Sequence, residues 1–278
     1  MVRLPPETRM GPVHLTVSDL DRSLSYYRDA VGLRELAREN GRASLGGDDE
    51  LLVLYEEPGA RPSHGHTGLF HFALLVPERR DLATWLAHAA RDGVTLTGLS
   101  DHDVSEAIYL RDPDYHGIEI YADRPRERWE GQVAQRLTTT PLDVENLLGE
   151  LDDPESEPFD TLPPRTVIGH VHLKASSIPQ TVAFYRDEVG FDVTASLADQ
   201  AAFLSAGGYH HHLGANVWES AGAPTPPPGF AALRHATMVL PSTDERDELA
   251  DRLRAESSPL GPLVRDPSGN ALVLAAAA

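Results

Sequence analysis

At 278 residues, with 41% apolar and 24% charged content, the chain has the composition of a folded globular protein and is long enough for two ordinary domains. A formal charge of −19 opposes binding to nucleic acid or to an anionic membrane surface and suits a small neutral substrate. The chain has no cysteine, which excludes disulfides, thiolate nucleophiles and thiolate metal sites, so a metal would have to sit on the thirteen histidines and the carboxylates. No run approaches the ~20 apolar residues of a membrane span, and MVRLPPETRM lacks the apolar centre of a signal peptide, so the expected location is cytoplasmic.

The first predicted unit opens with VHLTVSDLDRSLSYYRDAVGL from Val13, read as strand, helix and turn. VHLKASSIPQTVAFYRDEVGF from Val171 repeats it without a gap, which points to duplication. A weaker repeat lies inside each half: GLFHFALLVP from Gly68 and ALRHATMVLP from Ala232 are both His-bearing apolar strands ending at a proline. Each is followed by a charged helical segment, then by an Asp-Pro turn at Asp112-Pro113 or Asp266-Pro267, and then by a last apolar strand, GIEIYAD or ALVLAAA.

Four similar units therefore fall at about residues 10–57, 67–123, 168–220 and 230–276, each a strand, a helix and about three strands. None is long enough to bury its own sheet face, so the units must pair. The expected division is an N-terminal domain over 1–123, a C-terminal domain over 167–278, and between them a linker over 124–166 carrying one short helix near Leu142 to Leu151.

Residues two apart on a strand share a face, so strand ends lining one concave surface can build a metal site. At the first-strand slot unit two has His71, unit three His170 and unit four His235, whereas unit one has Pro12. At the last-strand slot unit two has Glu119 where unit four has Val273. A lone strand histidine is more often a satisfied core residue, but a carboxylate flanked by apolar residues in GIEIY is costly to bury unless paired or bound to metal. Two histidines and one carboxylate form the face that holds Fe(II) and leaves positions open, with His170 and His235 both candidates for the second histidine.

The run Tyr209-His210-His211-His212 is expected to begin a strand, with His210 and His212 on one face and His211 on the other. Tyr109 and His102 are placed near Glu119, while His14 and His172, which repeat one another, are read first as structural. His64 and His66 are assigned to a loop, His88 to a helix and His116 to a turn, without evident partners.

GLFHFALLVP, DHDVSEAIYLRDPDYHGIEIYADRP, IGHVHL and SAGGYHHHLGANVW together resemble the vicinal oxygen chelate superfamily, which includes glyoxalase I, fosfomycin-resistance proteins and type I extradiol dioxygenases. Among these the chain is most similar to the two-domain catechol 2,3-dioxygenases. The resemblance implies an α+β fold of four βαβββ modules forming two paired-module barrels. It implies metal ligands His71, Glu119 and His170, with His212 as acid and base in O–O cleavage and with Tyr109 and His102 bonding substrate oxygens. His212 is preferred to its neighbours on the pattern His212-x-x-Ala215, with His211 as the alternative. This set draws the active cup from modules two and three, where the usual order uses two modules of the C-terminal half.

The implied reaction is Fe(II)-dependent extradiol cleavage of catechol or a substituted catechol with O2, Mn(II) being the alternative metal. The implied partners are a small aromatic diol and O2, with no nucleic acid and no membrane, and a homo-oligomer is compatible. Two alternatives stand beside it. One is a hydroquinone-type dioxygenase or a glyoxalase-like isomerase, the isomerase using four ligands: His71, Glu119, His170 and a histidine of the 210–212 run. The other is a metal-free binding module.

Overall fold

The computed structural model describes residues 2–277. Module one comprises β1 (Arg9–Val17), α1 (Leu20–Tyr26), β2 (Arg34–Glu39), β3 (Arg42–Gly46) and β4 (Glu50–Glu56), and a two-residue strand, β5 (Arg61–Pro62), follows. Module two comprises β6 (Gly68–Leu75), α2 (Arg79–Arg91), β7 (Leu96–Asp101), β8 (Ser105–Arg111) and β9 (Gly117–Asp123). The connecting segment holds α3 (Val133–Arg136), β10 (Thr140–Pro141) and α4 (Val144–Leu148). Module three comprises β11 (Val167–Lys174), α5 (Ile178–Val182), β12 (Asp192–Leu197), β13 (Ala201–Ser205) and β14 (Leu213–Asn216). After β15 (Phe230–Ala231), module four comprises β16 (Leu233–Leu240), α6 (Thr243–Leu253), β17 (Glu256–Ser258), β18 (Gly261–Arg265) and β19 (Ala271–Ala276).

The architecture is the expected α+β arrangement of paired βαβββ modules. One sheet has the order β17-β18-β19-β16-β1-β4-β3-β2, and the other the order β10-β7-β8-β9-β6-β11-β14-β13-β12. Modules one and four thus share a sheet through β1 and β16, and modules two and three share the other through β6 and β11. Each sheet takes one module from each half of the sequence.

The duplicated segment explains itself locally. Asp19 caps α1, its side chain accepting the Arg22 amide, and the helix widens into a π turn over Tyr27–Val31 that ends at Gly32 with φ 89°. In module three the same π turn spans Ala183–Val189 and ends at Gly190 with φ 104°. Both termini need a left-handed residue, the conformation in which glycine carries no Cβ penalty.

The repeated tyrosine ties modules together across the two sheets. The buried Tyr27 hydroxyl donates to Asp112 Oδ2 at 2.9 Å, and the Tyr185 hydroxyl donates to Asp266 Oδ2 at 3.2 Å. Each aspartate uses its other oxygen to accept two amides of its own turn, those of Asp114 and His116 or of Ser268 and Asn270. The Asp-Pro turns therefore act as sockets for the helices of the preceding module. Among the described residues no helix is long and apolar enough to cross a membrane.

Candidate metal centre and active site

Strand register brings three of the chosen residues to one point. His71 lies opposite His172 in the β6·β11 pair, and Ala73, two residues along β6, lies opposite both His170 and Glu119 on its two flanking strands. Register shifts on either side of the histidine pair re-aim the β11 side chains locally. His71 Nε2 stands 2.9 Å from Glu119 Oε2, His170 Nε2 stands 3.1 Å from the same oxygen, and the two imidazole nitrogens are 3.3 Å apart. All three side chains are buried.

These separations fit a metal. Ligands about 2.1 Å from one ion and at right angles stand about 3 Å from one another, as three on a single octahedral face do. Protonation states agree with that use. Burial alone would raise the Glu119 pKa, yet the two imidazoles hold it well below the usual carboxylate range. Burial pulls His170 down to about 4, which leaves it a neutral donor at pH 7. An ionised carboxylate and a neutral imidazole are the forms in which such side chains bind metal.

The site forms the floor of a cavity of about 610 Å³. Phe70, Phe203 and Trp218 supply aromatic wall, and Phe70 and Trp218 meet edge to face with ring centroids 5.4 Å apart. Tyr109 and His102 also face it, as expected, and the Tyr109 hydroxyl lies 2.8 Å from His102 Nε2. His102 Nδ1 sits 2.7 Å from the Thr138 carbonyl, which can only accept; Nδ1 therefore carries the proton, and in the neutral ring the tyrosine donates to Nε2.

His212 is not brought to the cavity, whereas His211 is. The expected strand does not begin until Leu213, so alternation does not govern residues 209–212. In this loop the Ala206 amide donates to His212 Nδ1, while the His211 ring lies against His170 with centroids 4.1 Å apart. His172 also lines the cavity beside His71, at a centroid distance of 5.0 Å, and its buried Nε2 has no partner among the described residues. Sequence repetition made His172 look structural. The signal that singles it out is its place two residues from His170 on the same strand face.

The matching positions of the other sheet hold no such donor set among the described residues. His14 and His235 face each other there as His172 and His71 do here, but they stack at 3.9 Å, and Pro12 and Val273 occupy the remaining slots. His235, a candidate for the second metal-binding histidine, is therefore remote from Glu119. His88 stacks on Phe159 and His116 Nε2 bonds the Thr16 carbonyl, so both have structural partners.

A family model for the Glyoxalase/Bleomycin resistance protein/Dioxygenase superfamily matches residues 9–120 and again 167–274, and the chain belongs to that superfamily. It is 42% identical over 263 residues to the catechol-2,3-dioxygenase of Bacillus subtilis (strain 168), covering 91% of this chain and 90% of that protein. It is also 27% identical over 128 residues to the metallothiol transferase FosB of Staphylococcus epidermidis, over 44% of this chain and 87% of that one. The fold is shared with glyoxalase I from Zea mays, with a TM-score of 0.58 at 15% identity over 96% of this chain and 92% of that one. The protein is thus an enzyme similar to catechol-2,3-dioxygenase, an oxidoreductase.

Proposed function

We propose that the protein is an Fe(II)-dependent extradiol dioxygenase. It takes catechol or a substituted catechol and O2 to a 2-hydroxymuconic semialdehyde-type product, both oxygen atoms entering the ring carbons. The observation that carries this reading is the buried His71, Glu119 and His170 set on the floor of an aromatic-walled cavity, with His211 stacked beside it. When bound, Fe(II) supplies positions for the diol and for dioxygen, and a route for electrons between them.

The chain's own residues do the rest. The aromatic wall excludes water and orients the ring by face and edge contact. His211, in place of His212, takes a hydroxyl proton from the diol and returns it later as an acid. Burial pushes the His211 pKa well below its usual value, so it enters the reaction as a neutral base. Tyr109, oriented by His102, presents its oxygen to the substrate's oxygens.

A four-ligand isomerase would need a histidine of the 210–212 run among the donors. Among the described residues the one group of three or more such side chains whose donor atoms all lie within 4.8 Å of one another is His71, Glu119 and His170, without a histidine of that run, which favours three ligands and open positions. The test is anaerobic reconstitution with Fe(II), then catechol and air, recording oxygen uptake and the yellow semialdehyde band. Uptake matched by yellow product is expected. A metal-loaded protein that consumes no oxygen would overturn the reading.

A further inference from the structure

His211 does not stand alone behind the cavity. Its Nδ1 lies 2.9 Å from Nδ1 of His210, and Nε2 of His210 lies 2.8 Å from Asp123 Oδ1. His210 is completely buried, between Tyr121, Tyr209 and Trp129, with both ring nitrogens engaged. Asp123 ends β9, the strand that carries Glu119, and its side chain is 26% exposed on the far side, in a charged cleft with Glu78, Arg124 and Arg128. The Tyr209 hydroxyl also donates to Asp123 Oδ1, at 3.2 Å, and fixes the carboxylate from a second direction.

The donor order along this chain follows from the acceptor at its end. A carboxylate can only accept, so the His210 proton sits on Nε2. With a single proton on the His210 ring, Nδ1 is left with a lone pair, and the His211 proton then sits on Nδ1 to fill it. His211 Nε2, which has no hydrogen-bond partner among the described residues, is left bare as the nitrogen available to the cavity. We infer that Asp123 and His210 are positioning residues that lock His211 into its Nδ1–H tautomer, so that Nε2 meets the substrate hydroxyl as a base.

The inference rests on the dioxygenase reading for its purpose and on the hydrogen-bond chain for its substance. In the step it prepares, the substrate O–H bond breaks and an N–H bond forms at His211 Nε2, while Nδ1–H goes on donating to His210. An imidazole not held in this way favours no useful orientation, and its Nε2 would carry the proton for much of the time.

The deciding measurement is a long-range ¹H–¹⁵N correlation spectrum of the metal-free protein, with His211 assigned by its absence in His211→Ala. The expected spectrum has His211 protonated at Nδ1 and bare at Nε2. In His210→Phe, which keeps the ring volume and removes the acceptor, that preference should vanish, with Fe(II) content and KM for catechol unchanged and kcat down about a hundredfold. Asp123→Asn should move tautomer and kcat the same way if His210→Phe does not fold. A His211 protonated at Nε2 in the native protein, or a tautomer indifferent to both substitutions, overturns the inference. Absence of ring cleavage by the native protein would overturn the dioxygenase reading instead, while the spectrum would still decide the tautomer.

Discussion

One oxygen of Glu119 lies 2.9 Å from His71 Nε2 and 3.1 Å from His170 Nε2, and no other carboxylate among the described residues joins that donor set. Glu119→Gln should therefore keep the fold and lose most of the bound metal, measured as metal content after reconstitution and desalting. His211 and His212 separate cleanly. His211→Ala should retain metal and lose turnover by about 10²- to 10⁴-fold. His212→Ala should retain turnover and lose only about 1 kcal/mol of stability, through the unpaired Ala206 amide. Equal loss of turnover in the two variants would contradict the placement of the loop. The clustering of His71, Glu119 and His170, the proposed ligands, was legible because these residues sit at fixed slots on strands, where period two is rigid. The choice within Tyr209 to His212 was not, because that period was extended into a loop that sets each ring by hydrogen bonds instead.

At the scale of elements, the duplicated tyrosine was visible as a repeat, yet its purpose was not, since its partners Asp112 and Asp266 lie more than eighty residues away in sequence. Tyr185→Phe should lower stability by about 1–2 kcal/mol, as a shift in urea midpoint at unchanged slope, because Asp266 stays buried with one donor fewer. The glycine of IGHVHL has an equally local reason. A Cβ on Gly169 would stand 1.8 Å from the Tyr121 hydroxyl, in collision with the ring that packs on His170 and bonds Tyr209. Gly169→Ala is thus expected to be destabilising by about 1–3 kcal/mol, the usual effect of overpacking, and to disturb metal affinity as well. Denaturation and metal titration on one preparation would read both.

Across the whole molecule, the four-unit organisation was legible from repetition and the expected pairing rested on where the candidate ligands fell, although sequence periodicity alone carries no information on which edges meet. Because each sheet takes strands from both halves, residues 1–123 and 167–278 expressed singly should not fold, whereas a break placed in the DDPESEP segment should leave the two pieces associated and able to bind metal. Gel filtration after cleavage would settle this. The sheet of modules one and four also sets a pH limit. Burial lowers His14 to about 3 and His235 to about 4. Unfolded imidazoles protonate below about 6.5, so the unfolded chain binds more protons and stability falls as pH drops from 6.5 towards 4. His235→Phe should make that slope shallower without abolishing it in urea midpoints taken between pH 7 and 5, since burial depresses His170, His211 and His212 as well.

The facing of His14 with His235 and of His172 with His71 in matching strand pairs also bears on how such an enzyme could arise. Two separate, identical half-chains exchanging modules in this way would form two equal cups, and any substitution would strike both at once. Joining the halves into a single chain lifts that constraint. Pro12 and Val273 could then settle in one cup while His170 and Glu119 stayed in the other, with the two cups still tied together through the Tyr27–Asp112 and Tyr185–Asp266 bonds.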